Sequence, residues 1–292
     1  MVKIINISKR KFESLSPLVL ERGVMNTEGE LYLISQNGEE KVLKKLYHQD
    51  DDVYSNKLYT ISMLNNYKDT FTKEFCIPEK FVSVDSNIVG FLMPYIKGDN
   101  LNTVLNSYNI NFKDKVSYLK QIGLLLDRVE KLRKYSDVKD FYLNDLHESN
   151  FLVDEYKNVH VVDLDSAKIG NNKACPSKFL SPFSLIKYAP LKYKIDMESG
   201  ICIPSNNTDL YCYNAMLLNF LYGSSSISRD DLGNFYKYLN YLEDIHIDKN
   251  IVDSFSKLVV NSGNVNPYEY LDSLTGENIA RANEKVYKKV VR

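Results

Sequence analysis

Tryptophan is absent from this 292-residue chain and cysteine occurs only four times. The longest apolar stretch, residues 213–222, is interrupted by Asn214 and Asn219. Each shortage removes a class of function. Cys76, Cys175, Cys202 and Cys212 are widely scattered and form no Cys-x-x-Cys pair, which argues against a zinc site and a disulfide framework and fits a reducing, cytoplasmic setting. The opening MVKIINISKRKF lacks the apolar core of a secretory signal, and no segment suits a transmembrane span. An excess of charge of one sign is also missing, with 37 Lys and Arg against 38 Asp and Glu. There is then no global field to draw the chain onto nucleic acid or membrane, and partners must be recognised locally. His48, His160 and His246 are too irregularly spaced to suggest a metal site. The missing tryptophan stands beside 22 tyrosines and reads as a compositional bias without chemical meaning.

What is present is ample for a core: 44% of residues are hydrophobic, enough for one large domain or two lobes. The first hundred residues read mainly as strands, at 30–36, 41–46, 80–83 and 88–95, with a turn at Asn37-Gly38 between the first two. One helix interrupts them at 54–67, where Leu58, Ile61, Met63 and Leu64 recur at roughly helical spacing. After Gly98 the pattern turns helical. Residues 112–133 carry an apolar stripe, and residues 208–221 are apolar almost all round, as a buried helix requires.

The richest chemistry lies in residues 141–166, FYLNDLHESNFLVDEYKNVHVVDLDS. Asp145 follows the strand-like Phe141, Tyr142 and Leu143, and Asn150 comes five residues later. A second strand, His160-Val161-Val162, delivers Asp163 after a turn at 155–158. Phosphoryl transfer needs a carboxylate to orient the acceptor hydroxyl and hard oxygen ligands to hold Mg²⁺ against the phosphates. Asp145 fits the first role, and Asn150 with Asp163 fits the second.

This run resembles the catalytic and metal-binding loops of the protein-kinase-like superfamily. Leu143, Asn144 and Asp145 stand where the catalytic triplet would be, Asn150 keeps its spacing, and Asp163, Leu164 and Asp165 stand in the metal-loop triplet. The resemblance extends over most of the chain. Lys41-Val42-Leu43-Lys44 is similar to the strand that puts a lysine on the α- and β-phosphates. Strand alternation selects Lys44 over Lys45, because Val42 and Lys44 share a face. Residues 92–101 look like the hinge, with Met93 as gatekeeper and the backbones of Pro94 and Ile96 against adenine. Thr208-Asp209-Leu210-Tyr211 is similar to the start of the anchoring helix, with Asp209 as brace of the catalytic loop. The resemblance implies an α+β, bilobal protein-kinase-like fold, with a β-rich N-lobe over residues 1–96 and a helical C-lobe over 97–292.

Several positions depart from the family pattern. Of the glycine-rich loop over the phosphates, residues 23–29 keep at most Gly23 and Gly29, and only Gly29 aligns well. The first helix has no acidic residue to pair with Lys44, and Thr60 falls near the expected place. Asn144 replaces the catalytic-triplet arginine, and Tyr188-Ala189-Pro190-Leu191 is a degenerate Ala-Pro-Glu. His147 has two readings, a phosphate contact or a hydrogen-bonded loop histidine. Asp165, in place of glycine, is a second metal ligand or a turn cap. The resulting expectation is an ATP- and Mg²⁺-dependent Ser/Thr protein kinase acting on an unknown protein substrate. The alternatives are a small-molecule kinase of the aminoglycoside or choline kinase type, which the His in DLHESN favours, and a pseudokinase scaffold.

Overall fold

The computed structural model is α+β and describes residues 2–18, 29–47, 52–171, 204–222, 232–259 and 263–290. Residues 23–28 of the glycine-poor loop, His48 and residues 188–191 lie outside them.

A mixed five-stranded sheet is built from β1 (Lys3–Asn6), β2 (Gly29–Gln36), β3 (Glu39–Leu46), β4 (Lys80–Val84) and β5 (Asn87–Pro94), in the order β1-β4-β5-β3-β2. Two tight hairpins set its register. Asn37 and Gly38 both have positive φ, 53° and 84°, which matches the right-handed twist of the strands they join. Asp85 and Ser86 make the equivalent turn between β4 and β5 without a glycine, at φ 48° and 68°. Both faces of the sheet are covered. Val42, Leu46, Phe81, Phe91 and Met93 pack with Ile61 of α2 (Asp52–Asn66), while Tyr32, Leu43, Val82 and Leu92 meet Phe12 and Leu15 in and after α1 (Lys9–Glu13). β1 is parallel to β4, an addition that four residues reading KIIN did not announce.

A second, three-stranded sheet joins β6 (Gly98–Asn100), β7 (Phe151–Asp154) and β8 (Val159–Val161). β8 is also tied to the preceding chain, since Val161 N donates to Glu74 O at 2.8 Å and Cys76 N to Val161 O at 3.0 Å. The short α3 (Leu101–Asn106) follows β6.

Beyond lies the largest hydrophobic cluster, organised on α4 (Phe112–Tyr135) and α5 (Asn206–Tyr222). Asn111 caps α4 by accepting from Asp114 N at 2.9 Å. Leu119, Ile122, Leu125, Leu126 and Val129 then repeat at helical spacing and are buried. Burying each such side chain contributes about 1.5–3 kcal/mol. Gly123 lets the partners close in, since a Cβ there would meet Tyr268 Cβ at 2.4 Å and the Tyr213 hydroxyl at 2.7 Å. α5 touches α4, α7 (Lys249–Ser256) and α8 (Gly276–Val290), and α6 (Leu232–Asp244) packs on α7. Among the described residues, no helix is long and apolar enough to cross a membrane.

The segment 141–143, read as a strand, makes only an isolated bridge at Tyr142 with Lys168. Its Leu143 amide turns to Asp209 of α5 and its Phe141 carbonyl accepts from Arg133 of α4, and this prepares the site.

Candidate active site

Lys44 sits mid-strand on β3, paired with Leu31 on one side and Phe91 on the other, and is 1% exposed. Glycines line its stretch of β3 on both flanks. A Cβ on Gly29 would fall 2.2 Å from Lys45 O, and one on Gly90 would fall 2.0 Å from Lys44 O. Gly29 therefore has a requirement set by strand packing, whatever it does for phosphate. Alternation sends Lys44 inward with Val42 and Leu46, towards α2. Lys45 turns the other way and meets Glu30 at 2.9 Å, with both side chains about one-third exposed.

A buried ammonium needs counter-charge, and Lys44 has two carboxylates. Its Nζ bonds Asp165 Oδ1 at 2.9 Å and also contacts Asp163 Oδ1. Asp165 is fully buried, and its other oxygen receives Lys57 Nζ from α2 at 2.8 Å. Lys57 also donates to Ser166 Oγ at 2.9 Å. Two lysines and two carboxylates thus neutralise one another within one cluster. Burial alone would raise the Asp165 pKa, but Lys44 and then Lys57 outweigh it and hold that carboxyl well below the usual range. Asp163 goes the other way, raised by burial and by the Asp165 charge against the pull of Lys44. Its side chain is 30% exposed, so it is the carboxylate that faces outward. Asp163 also has φ 62° and ψ 41°, a left-handed conformation that costs a non-glycine residue about 1–2 kcal/mol.

Two details are added here. Both Asp165 oxygens meet lysines in a buried site, Oδ1 with Lys44 at 2.9 Å and Oδ2 with Lys57 at 2.8 Å and Lys44 at 3.2 Å, so this residue is an ion-pair partner. The helix position that matters is also not Thr60, which donates to Asn56 O at 3.0 Å. It is Lys57, one turn earlier, in phase with Ile61 and Leu64 on the buried face. The expected acidic partner is replaced by a pair of reversed polarity, with the cation on the helix. An aspartate in place of glycine at 165 was the signal.

The loop before β7 is shaped from below by Asp209 of α5. Its Oδ2 accepts from Leu143 N at 2.9 Å and its Oδ1 from Asn144 N at 3.0 Å. Burial pushes the Asp209 carboxyl up to about 6, opposed by those two amides and by the Arg133 charge. Asn144, at φ 66°, sends its Nδ2 to Ser166 O at 2.8 Å and so ties this loop to the Asp163 turn. Asp145 projects from it with its side chain 24% exposed. Asn150 Nδ2 bonds Asp145 O at 2.8 Å and reaches Asp145 Oδ2 at 3.3 Å, which leaves the amide oxygen as the atom for a cation. Val162 N donates to Asn150 O at 2.9 Å, which fixes Asn150 one residue from Asp163 across the start of the hairpin.

His147 caps the turn Glu148–Asn150 by accepting from Ser149 N through Nδ1 at 3.3 Å. That places the ring proton on Nε2, which faces Asp145 Oδ2 at 3.6 Å. Burial would lower the His147 pKa, but Asp145 first, with Glu148 and Asp163 behind it, raises it above the ordinary value. Met93 is buried in β5 opposite Val42, and Pro94 pairs with Lys41 at the strand end. Ile96 is half-buried in the connection to β6.

The donor set suits Mg²⁺ better than a softer metal. Mg²⁺ takes one or two protein oxygens and completes its shell with water and phosphate, which an outward carboxylate and an amide oxygen supply. Among the described residues, no group of three or more His, Cys, Asp and Glu is arranged to hold a metal by itself. No family model matches the chain, and no curated protein matches it.

Proposed function

We propose that this protein is a phosphotransferase with a bilobal protein-kinase-like arrangement, residues 1–96 against 97–292, that moves the γ-phosphate of ATP onto a Ser or Thr hydroxyl of a protein. One observation carries the reading. A buried lysine from the five-stranded sheet is ion-paired to an outward-facing, left-handed Asp163, and Asn150, bonded to Asp145, lies beside that aspartate through the Val162 amide.

In this scheme Asp145 accepts a hydrogen bond from the acceptor hydroxyl and takes its proton as the new O–P bond forms and ADP departs. Lys44 holds the α- and β-phosphates. Asn150 and Asp163 would hold Mg²⁺, which supplies charge neutralisation on the phosphates. The absence of an acidic partner on α2 is offset by Asp165, which gives Lys44 a fixed counter-charge. Asp209 keeps the loop in shape by binding two of its amides.

Mg²⁺-dependent labelling from γ-labelled ATP, measured in parallel for the wild type and Asp163→Ala, is the test. Label is expected on the protein itself or on a generic protein substrate in the wild type only, and equal labelling of the two would sink the reading. The contact of His147 with Asp145 favours a second reading, a small-molecule kinase in which that ring stands beside the γ-phosphate. Turnover stimulated by an aminoglycoside, choline or a sugar, with no protein labelling, would select it. A nucleotide-dependent thermal shift without any transfer would leave a nucleotide-binding scaffold.

A further inference from the structure

The two carboxylates on Lys44 are not equivalent, and the difference bears on the function proposed above, on which this inference rests. Asp163 faces outward and is the group that would be shared with Mg²⁺. When a divalent cation draws on its oxygens, its hold on Lys44 weakens. Asp165 is then the fixed counter-charge of Lys44, and its own place is set by what grips Oδ2. The shorter grip comes from Lys57 at 2.8 Å, on a different element, which also bonds the neighbouring Ser166 hydroxyl; Lys44 Nζ lies 3.2 Å from the same oxygen. α2 packs directly on the 3-10 turn Leu164–Ser166 that carries Asp165, so the position of this helix is communicated to the turn through a charged contact.

We propose that Lys57 is a positioning residue that acts through Asp165 to hold Lys44 in place for the α- and β-phosphates. The charges explain the direction of the effect. With Lys57 present, the four groups sum to zero. Without it, the cluster carries a net negative charge, and Asp165 Oδ2 loses its shorter lysine contact and keeps Lys44 Nζ at 3.2 Å. Lys44, as the nearest remaining cation, is drawn further onto Asp165 and away from the phosphates. Lys57 touches neither nucleotide nor acceptor in this scheme, so its loss should weaken the use of ATP rather than the proton transfer at Asp145.

The experiment is a double-mutant cycle on the full chain, with kcat/KM for ATP and ATP affinity as readouts and thermal unfolding as the control for foldedness. Lys57→Met is expected to lose about 100-fold in kcat/KM, chiefly through KM, the scale set by misplacing a binding group by about 1 Å. Lys57→Arg, which keeps the charge, is expected to stay within about 10-fold of wild type. In an Asp165→Asn background, where there is no carboxylate to strand, Lys57→Met should cost no more than about threefold further. A merely structural lysine would instead give losses that multiply and that follow the melting temperature. Folded Lys57→Met with wild-type kcat/KM, or losses that multiply across the cycle, overturns the proposal. If Lys57→Met does not fold, Lys57→Arg and the comparison of the double variant with Asp165→Asn carry the test: a folded Lys57→Arg that loses more than about 10-fold in ATP affinity, or a double variant more than about threefold weaker than Asp165→Asn, overturns it. A wild type that neither binds nor turns over ATP fails at an earlier step and overturns the proposed function with it, so the two failures are distinguishable.

Discussion

Nine residues apart, the chain makes two aspartate–histidine pairs with opposite characters. Asp154, at the end of β7, accepts from Tyr156 N at 2.9 Å, Asn158 N at 2.8 Å, Asn158 Nδ2 at 3.0 Å and His160 Nε2 at 2.9 Å. Both members are nearly buried, with side chains 15% and 8% exposed. Asp145 has a long contact to Asn150 at 3.3 Å and a longer one to His147 at 3.6 Å, and about a quarter of each side chain in that pair is exposed. The first carboxylate is fully engaged, a strut that closes a hairpin, although Nδ1 of its histidine is buried without a hydrogen-bond partner among the described residues. The second is less engaged and more exposed, as the proton acceptor proposed above would need to be. Residue identity does not separate the two pairs; hydrogen-bond satisfaction of the carboxylate does.

The sharpest way to test that contrast is to remove each carboxylate. Asp145→Ala should lower phosphate transfer by about 10²–10⁴-fold with little change in melting temperature, compared by labelling and calorimetry. Asp154→Ala should do the reverse, destabilising the fold by about 2–4 kcal/mol in urea titration while the folded fraction keeps its specific activity.

Acid should reveal the strut as well. Burial would raise the Asp154 pKa, but His160 and Asn158 outweigh it and bring the carboxyl down to about 2 from its ordinary 3.8. A depressed carboxyl pKa contributes stability above the unfolded value, and that contribution is lost as pH falls from near 4 through about 2. The expected loss is about 2 kcal/mol. Unfolding measured between pH 5 and 2 should show it in the wild type and show a flatter limb in Asp154→Ala.

The smallest effect belongs to His147. Its raised pKa keeps the imidazolium to higher pH than an ordinary histidine. His147→Gln should therefore change the acid side of the pH–rate profile, by about 10-fold, and leave the alkaline side superimposed on the wild type.

Much of this was written in local patterns. Asn37-Gly38 declared the first hairpin, the apolar stripes declared α4 and α5, and the alternation of Val42 and Lys44 declared which lysine points inward. The run from Asp145 to Asp163 declared which polar residues gather, Asn150 against Asp145 and Asp163 against Lys44. What escaped was long-range or reversed in sign. β1 is four residues long and pairs with a strand more than seventy residues away, so nothing nearby marks it. Residues 141–143 have strand-like composition, yet the Leu143 amide, like that of the following Asn144, goes to Asp209 instead of a ladder. Lys57 carries no local mark, since only Asp165, 108 positions later, gives it meaning.

The distance along the chain between Lys44 and Asp165, 121 residues, also has a kinetic meaning. Contacts so remote must close a long loop before they return any energy, and they form late in folding. Neither ammonium nor either carboxylate can be buried alone at tolerable energy, so the four groups enter the interior together or not at all. A nascent or half-folded chain consequently has no nucleotide lysine in place. On the proposed function, competence to handle ATP would report that both halves of the polypeptide have finished folding.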